Sequence, residues 1–265
     1  MTREEVKQLQ SERTTLQELI KETPAEDAID LGSLQSRLFE VNRRLSQAPA
    51  DTRMPVRTRL TFRGRPVVGS YGIFAEFGMK AMQAFTNARN ADTPDELWLT
   101  EHPPVYTVGV AGRAEHLPQM DNGIPVVRTD RGGQVTYHGP GQVVLYTLFD
   151  LHRRGLTIHS LVRLLEDAVM DLLSDHHVVG VGDPARPGVY VDGAKIAALG
   201  LRVRRGGCYH GLAFNVDPDL AAFEAIDPCG YPGLAVTSAR KLGIMTCSET
   251  LADGLVHHLQ HRIDS

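Results

Sequence analysis

Cysteine is scarce in this chain of 265 residues, and the three that occur are Cys208, Cys229 and Cys247. An odd number of cysteines without a Cys-x-x-Cys pair argues against a disulfide framework as the basis of the fold. We therefore expect three free thiols, and a chemical role for one of them becomes a question for the surrounding sequence.

Long apolar runs and a strong charge of one sign are also missing. No apolar segment comes near the length of about 18 residues that a transmembrane helix needs. Residues 1–5 do not begin the apolar region of a signal peptide. The formal net charge of -4 gives no general reason to expect nucleic acid or an anionic membrane as a partner. These absences predict a soluble cytoplasmic protein that binds neither, and a hydrophobic content of 42% is enough for a proper core.

The first 53 residues differ in composition from the rest. Leucines at helical spacing, interrupted at Pro24, predict two helices, and residues 48–51 have the composition of a linker. We predict a helical appendage and linker over residues 1–53 and one larger domain over residues 54–265. The appendage is either a partner-binding helical hairpin or a solvated extension.

The larger domain alternates between strand and helix patterns. Residues 97–100 and 105–108 are predicted as two strands joined by a proline turn, and residues 73–90 and 156–176 as helices. The pair Asp192-Gly193 predicts a tight hairpin turn, because both central residues need positive φ, and a second turn follows at 205–207. The predicted class is α/β (α+β), with a mixed, largely antiparallel sheet, packed helices and the N-terminal helical appendage.

A polar, glycine-rich stretch runs from Arg131 to Gln142 and holds four glycines and one proline. An apolar strand over residues 143–149 follows directly, so the stretch is fixed at the end of a rigid element. This composition predicts a ligand-binding loop, although a plain turn would have the same glycine content.

Lys195 and Cys229 are the two residues with the most suggestive settings. Lys195 shares one face of its strand with apolar residues, so burial is expected to lower its pKa, unless the side chain extends to water. Cys229 lies between Pro228 and Gly230 in a loop, where no bulky neighbour shields the sulfur. A lysine close to this thiol would favour the thiolate, which attacks carbonyl carbons. Cys208 and Cys247 have ordinary settings for a small apolar side chain.

Two histidines occur in matched settings, Tyr137-His138-Gly139 and Tyr209-His210-Gly211. Each is a general acid, a group that binds substrate, or a structural histidine. A zinc site formed by His138, Cys208, His210 and Cys229 is a further alternative, but these residues lack the short paired spacings of zinc motifs.

Four sequence blocks together resemble one known family. They are Arg-Gly-Gly-Gln-Val-Thr-Tyr-His-Gly-Pro-Gly-Gln from Arg131, Gly-Val-Tyr-Val followed by the block from Lys195, Tyr-His-Gly-Leu-Ala-Phe-Asn-Val, and Pro-Cys-Gly at Cys229. Their order and content match the octanoyltransferases of lipoate biosynthesis, also called the lipoate-protein ligase B family. The resemblance runs from about Ala81 to the last helix, and it implies the fold of the biotin and lipoate protein ligase catalytic domains.

The resemblance implies transfer of an octanoyl group from octanoyl-acyl carrier protein to the ε-amino group of a lysine on a lipoyl domain. The acceptors in the family are lipoyl domains of 2-oxoacid dehydrogenases and the glycine cleavage H protein. No ATP, metal or other cofactor is implied. Cys229 takes the place of the cysteine that carries the acyl thioester, and Lys195 that of the lysine that favours its thiolate. The segments implied to line the acyl pocket are Arg131, Gly132, Gly133, Gln134, Val135, Thr136, Tyr137 and His138, then Ala198, Leu199 and Gly200, then Gly211, Leu212 and Ala213.

Two other functions stay open at this point. One is an ATP-dependent lipoate or biotin-type protein ligase of the same fold, and the other is a non-catalytic module that binds carrier proteins. The family usually begins with a short strand and helix, whereas about 80 residues precede the match here, so the segment 54–80 is atypical. Three arginines near one turn, Arg202, Arg204 and Arg205, predict either a docking patch for an acidic carrier protein or a solvated hairpin tip.

Overall fold

The computed structural model describes residues 57–60 and 71–264 and, before them, residues 5, 8, 9, 11, 12, 15, 16, 37 and 41. These N-terminal residues are helical, and Arg37 Nε lies 2.7 Å from Glu12 Oε1. The remainder of the predicted appendage, including the boundary at residue 53, lies outside the described residues. The division into residues 1–53 and 54–265 therefore stays a prediction.

The described part of the main domain contains four α-helices. They are α1 (Tyr71–Ala88), α2 (Leu151–Arg154), α3 (Ile158–Asp175) and α4 (Ser248–Asp264). Helix α3 begins where Thr157 and Ser160 form a reciprocal capping box: Thr157 Oγ1 accepts the Ser160 N–H at 3.1 Å, and Ser160 Oγ accepts the Thr157 N–H at 2.8 Å.

Ten strands are described in the same region. They are β1 (Arg57–Leu60), β2 (Glu96–Thr100), β3 (Val105–Val108), β4 (Val126–Arg128), β5 (Val135–His138), β6 (Gln142–Asp150), β7 (Val181–Gly182), β8 (Gly188–Val191), β9 (Ala194–Arg204) and β10 (Gly207–Asn215). Short 3₁₀ turns lie at Ala114–His116, Leu220–Ala225, Pro228–Gly230 and Arg240–Leu242.

Seven of these strands form one sheet in the order β1-β2-β6-β10-β9-β8-β7. Only β1 and β2 pair in parallel, and the other neighbours are antiparallel. The predicted class, a mixed and largely antiparallel sheet with packed helices, is confirmed. Both predicted turns are confirmed as well, with positive φ at Asp192 and Gly193 and at Arg205 and Gly206.

A second, three-stranded sheet has the order β4-β3-β5. Residues 97–100 and 105–108 are strands as predicted, but β2 belongs to the large sheet and β3 to the small one. The proline segment between them therefore carries the chain from one sheet to the other. Because β3 pairs with both β4 and β5, residues 126–128 before the glycine-rich stretch and residues 135–138 within it are held in the small sheet.

The main hydrophobic core lies between the large sheet and helices α3 and α4. Leu161, Leu165 and Leu172 from α3 pack there, as the sequence periodicity predicts. Strand β6 directs Leu145 and Phe149 into this core. Its alternate residues face the other side of the sheet, where Leu148 packs against Met82 of α1. In the described residues, no helix combines the length and apolar composition needed to cross a bilayer.

Candidate active site

A cavity of about 370 Å³ lies over strands β9 and β10, within the usual size range of small-ligand pockets. Nearly all residues predicted to line an acyl pocket do line this cavity. They are Arg131, Gly132, Gly133, Gln134, Val135, Thr136, His138, Ala198, Leu199, Gly200, Gly211, Leu212 and Ala213. Lys195 and Cys229 line the same cavity.

Tyr137 is the exception and corrects the sequence prediction. Its ring lies 5.7 Å from the Tyr106 ring and 5.4 Å from the Phe223 ring, in the core of the small sheet. Successive side chains of a strand point to opposite faces, so the neighbours Thr136 and His138 can reach the cavity while Tyr137 turns away.

Lys195 and Cys229 meet in the fold. The Nζ and Sγ atoms are 3.2 Å apart, within hydrogen-bonding distance for a nitrogen and a sulfur. The Lys195 ammonium also donates to the carbonyl oxygen of Pro187 at 3.1 Å and lies 5.2 Å from the centre of the Tyr190 ring. Only 4% of the residue is exposed. The amine is therefore held in one place, with the sulfur as a direct partner.

The pKa of Lys195 differs in direction from the sequence prediction. Burial lowers it, as expected, but the charge of Cys229 and the contact with Tyr190 raise it by more, so the pKa ends above its ordinary value. The prediction was wrong because strand periodicity gives the burial of a lysine but not its anionic partner. The arrangement favours an ammonium–thiolate ion pair.

The loop that carries Cys229 has an unusual backbone. Cys229 has φ 59° and ψ 15°, in the left-handed region, and Gly230 follows with φ 75°. A non-glycine residue in such a conformation costs about 1–3 kcal/mol and is typical of functional sites. The loop is tied down by Asp227, whose carbonyl accepts the Gly230 N–H at 2.8 Å and whose carboxylate lies 2.9 Å from His116 Nδ1.

Sequence reasoning did not identify His116. It lies 111 residues before Asp227, and no local pattern connects the two. The Asp227 N–H also donates to the carbonyl oxygen of His116 at 3.2 Å, so backbone and side chain fix the same junction. His116 holds the cysteine loop in place.

The glycine-rich loop covers a floor of small residues on the sheet. Ala198 pairs with Ala213, and Gly200 pairs with Gly211. Because these two cross-strand pairs have small side chains or none, little protrudes from this part of the sheet. The loop is held over this surface by the Gly132 N–H, which donates to the carbonyl of Leu201 at 2.9 Å. This floor of small apolar residues leaves room for an extended acyl chain.

Arg131 forms part of the wall of this cavity. Its guanidinium donates to Thr107 and Gly132, with Nη2 at 2.6 Å from the Thr107 carbonyl and Nη1 at 3.0 Å from the Gly132 carbonyl. Burial lowers the pKa of Arg131 to about 10, and the nearby Cys229 opposes this change. No carboxylate within the described ranges forms an ion pair with Arg131. It is a fixed positive charge in the wall of the cavity that Cys229 also lines.

Gln134 brings the glycine-rich loop and the cysteine loop together. Its Oε1 accepts the backbone N–H of Arg113 at 3.2 Å. Its carboxamide lies against Gly230, where an added Cβ would be 3.0 Å from Cδ and 3.1 Å from Nε2 of Gln134. Glycine is thus required at position 230 both for its backbone conformation and for this close approach.

The histidine His138 belongs to a buried polar group at one end of the cavity. His138 Nδ1 lies 2.6 Å from Gln142 Oε1, and burial lowers its pKa to about 3. His102, which the sequence did not single out, lies 2.5 Å through Nε2 from the Tyr146 hydroxyl, and burial lowers its pKa to about 4. Both imidazoles are neutral at neutral pH.

His210 faces the cavity in a different setting. Its Nε2 lies 2.8 Å from Asp130 Oδ1, and the Tyr209 hydroxyl donates to Oδ2 of the same carboxylate at 2.5 Å. The backbone of His210 is left-handed, with φ 62°, within a strand. Burial lowers the pKa of His210 more than Asp130 raises it. Asp130 orients this imidazole.

The other two cysteines lie elsewhere. Cys208 packs in the main core beside the sheet, and burial raises the pKa of its thiol to about 12, which leaves it unreactive. Cys247 is exposed before α4 and lies 3.3 Å from Thr250 Oγ1. Because Cys208 lies in the core and does not line the cavity, the four-residue zinc alternative does not assemble.

Comparison with known proteins agrees with this geometry. The lipoyl protein ligase A/B catalytic domain family matches residues 75–253. The octanoyltransferase of Nitrosomonas europaea is 63% identical over 176 residues, which cover 66% of this chain and 86% of that protein. The octanoyltransferase of Thiobacillus denitrificans is 60% identical over 186 residues, which cover 70% of this chain and 85% of that protein.

Solved structures share the fold at much lower identity. A structure of a bi-partite lipoate protein ligase from Thermoplasma acidophilum has a TM-score of 0.63 at 17% identity, covering 79% of this chain and 84% of that one. Lipoate-protein ligase A bound with ATP has a TM-score of 0.62 at 16% identity, covering 79% and 85%. With its fold, its cavity and its motif blocks in agreement, the chain belongs to the lipoyl protein ligase A/B catalytic domain family.

Proposed function

We propose that this protein is an octanoyltransferase that takes an octanoyl group from octanoyl-acyl carrier protein and passes it to the ε-amino group of a lysine on a lipoyl domain. The observation that carries the proposal is the contact of 3.2 Å between buried Lys195 and half-buried Cys229 at a cavity with a floor of small residues. The high identity to octanoyltransferases supports the choice of acyl group.

The reaction begins with the thiolate of Cys229. It attacks the thioester carbonyl of the donor, the carbon–sulfur bond to the carrier breaks, and the leaving carrier thiolate takes a proton from the Lys195 ammonium. Thioester exchange is nearly isoenergetic, so the acyl group stays activated without ATP. The product of this half-reaction is an octanoyl thioester on Cys229 beside a neutral amine.

The second half-reaction uses that neutral amine as a base. The lysine of the acceptor domain attacks the Cys229 thioester, and Lys195 accepts the proton that the attacking nitrogen loses. Expulsion of Cys229 as a thiolate restores the starting ion pair. The acceptors we propose are lipoyl domains of 2-oxoacid dehydrogenases and the glycine cleavage H protein, and a cytoplasmic location stays a prediction from the sequence.

Intact mass spectrometry tests the covalent step. Incubation with octanoyl-acyl carrier protein, without acceptor or ATP, should add one octanoyl group at Cys229 that hydroxylamine removes. Cys229→Ser should show no comparable adduct, because a serine hydroxyl stays protonated and is a much weaker nucleophile. Cys208→Ser and Cys247→Ser serve as matched controls and should behave like the parent.

The same experiment separates the alternatives. A requirement for ATP, with free octanoate or lipoate as substrate, would point to the ATP-dependent ligase, whose fold is shared by the ATP-bound lipoate-protein ligase A. An adduct on Cys208 or Cys247, or full turnover by Cys229→Ser, would overturn the mechanism. A protein that binds carrier protein but forms no adduct and no product would be a non-catalytic module.

A further inference from the structure

Both half-reactions of the proposed function create a negative oxygen, and the site needs a donor for it. When a sulfur or nitrogen adds to the thioester carbonyl, the carbonyl π electrons move to oxygen and form an oxyanion. Fixed N–H groups at that position lower the barrier, and loss of one side-chain donor of this kind costs about 10²–10³ in rate. The donor must lie beside Cys229.

Three lysine or arginine side chains of the described residues line the cavity, and each has other partners. The Arg186 guanidinium donates to the Asp183 carboxylate at 2.7 Å. The Lys195 ammonium is shared between the Pro187 carbonyl and the Cys229 sulfur. The Arg131 guanidinium donates to the Thr107 carbonyl and hydroxyl and to the Gly132 carbonyl. These groups set the charge of the site, but their donors are directed at protein atoms.

Gln134 carries a side-chain NH₂ group beside the cysteine loop. Arg113 N–H fixes its carbonyl oxygen Oε1 at 3.2 Å, which sets the rotation of the carboxamide and leaves the NH₂ group on the opposite side. In the described residues, no acceptor pairs with that NH₂ group. The group lies against Gly230, the chain neighbour of Cys229, and both Gln134 and Cys229 line the cavity.

We propose that the Gln134 side-chain NH₂ group donates to the oxyanion of the Cys229 tetrahedral intermediates. This inference rests on the proposed acyl transfer and adds the group that stabilises its transition states. In acylation the Gln134 NH₂ group binds the oxyanion while the bond from the carbonyl carbon to the carrier sulfur breaks. In transfer to the acceptor it binds the same oxygen while the bond from that carbon to Cys229 breaks. The proton movements remain those between Lys195 and the leaving or attacking group.

The left-handed backbone of the cysteine loop fits this role. Cys229 has φ 59° and Gly230 has φ 75°, and the absence of a side chain at Gly230 lets the Gln134 carboxamide approach the cysteine loop closely. A Cβ at position 230 would lie 2.9 Å from Gln134 Cγ and would displace the carboxamide. The glycine after the cysteine and the glutamine of the glycine-rich loop therefore form one unit.

Gln134→Met tests the inference because methionine keeps the length of the side chain and its packing on Gly230 but has no donor. The probes are octanoyl-acyl carrier protein and the octanoyl thioester of N-acetylcysteamine, with single-turnover acylation followed by intact mass. We expect acylation to fall about 10²–10³-fold with either probe. Gln119→Met is the matched control, since exposed Gln119 donates only to the carbonyls of Glu115 and Leu117.

The rate at which iodoacetamide alkylates Cys229 distinguishes oxyanion stabilisation by Gln134 from a structural role, because a structural role would change this rate as well. This displacement at a saturated carbon forms no oxyanion, so Gln134→Met should alkylate at the parental rate although it acylates slowly. An acylation rate equal to that of the parent, or a parallel loss of alkylation, would overturn the role of Gln134. If the parent itself forms no adduct with either thioester, the proposed acyl transfer fails, and that outcome is distinct from a failure confined to the variant.

Discussion

Replacing Lys195 with methionine should change the pH dependence of acylation as well as its rate. Methionine occupies a similar volume in the buried position and removes only the charge and the proton. At the observed separation of 3.2 Å and an effective dielectric constant of about 20, two unit charges attract by about 5 kcal/mol. One pKa unit corresponds to about 1.36 kcal/mol, so this attraction alone favours the charged pair by nearly four powers of ten. The free-energy cost of burying the two charges reduces that factor.

The loss at neutral pH follows from the ionisation of an unassisted thiol. A thiol without a nearby cation has a pKa near 8.5, so about 3% is thiolate at pH 7, and the variant should acylate at least about 30-fold more slowly than the parent. The rate should then rise about tenfold per pH unit and level off above about pH 8.5. The parent should depend less on pH than the variant over this range, because the pKa of Lys195 is raised and its ammonium persists beside the sulfur.

Single-turnover acylation and iodoacetamide alkylation, each measured from pH 6 to 9.5, check both curves. Alkylation should recover completely at high pH, whereas acylation should recover only in part, since the variant cannot protonate the leaving carrier thiolate. Lys241→Met, at an exposed lysine, is the control. A variant with the parental profile, or one equally slow at every pH, would refute the assignment of thiol ionisation to Lys195.

Three further predictions concern other parts of the molecule. Asp95→Asn should lower the free energy of unfolding by about 3–5 kcal/mol in urea, because it leaves three buried arginines without their shared carboxylate. The arginines hold the pKa of Asp95 below its ordinary value despite burial, so the parent's advantage should be full above about pH 4 and disappear as the pH falls through the lower folded pKa. Replacing the exposed Arg202, Arg204 and Arg205 by serine should raise the KM for octanoyl-acyl carrier protein and flatten its salt dependence, and an unchanged KM would exclude docking at this hairpin. Gly230→Ala should slow acylation of Cys229 without exposing Cys208, and a crystal structure of that variant should show the Gln134 carboxamide displaced from position 230.

Local chemistry made much of the fold predictable. The turn at Asp192-Gly193 could be read from two residues, because a tight hairpin needs positive φ at both. The apolar periodicity of α3 identified the face that packs on the sheet. The separation of β2 and β3 into two sheets could not be read in this way, since strand pairing is decided by the whole set of neighbours and not by the turn between two strands.

The site also has residues that the sequence predicts and contacts that it does not. The motif blocks identified Lys195 and Cys229, and the structure brings them together. The direction in which Tyr137 points, and the sign of the Lys195 pKa change, depend on contacts between distant segments. So does the attachment of Asp227 to His116, for which no sequence period exists. Long-range partners of this kind are fixed by tertiary packing.

The contact between Lys195 and Cys229 also has a consequence for oxidation. A thiolate reacts with peroxides far more readily than a protonated thiol and passes to sulfenic acid, whereas a thioester sulfur has no free electron pair of that reactivity. The feature that readies Cys229 for an acyl donor therefore exposes it to oxidative damage whenever it is unloaded. A plentiful acyl donor would act as a protecting group, and the lifetime of this protein under oxidative stress would depend on the supply of its first substrate.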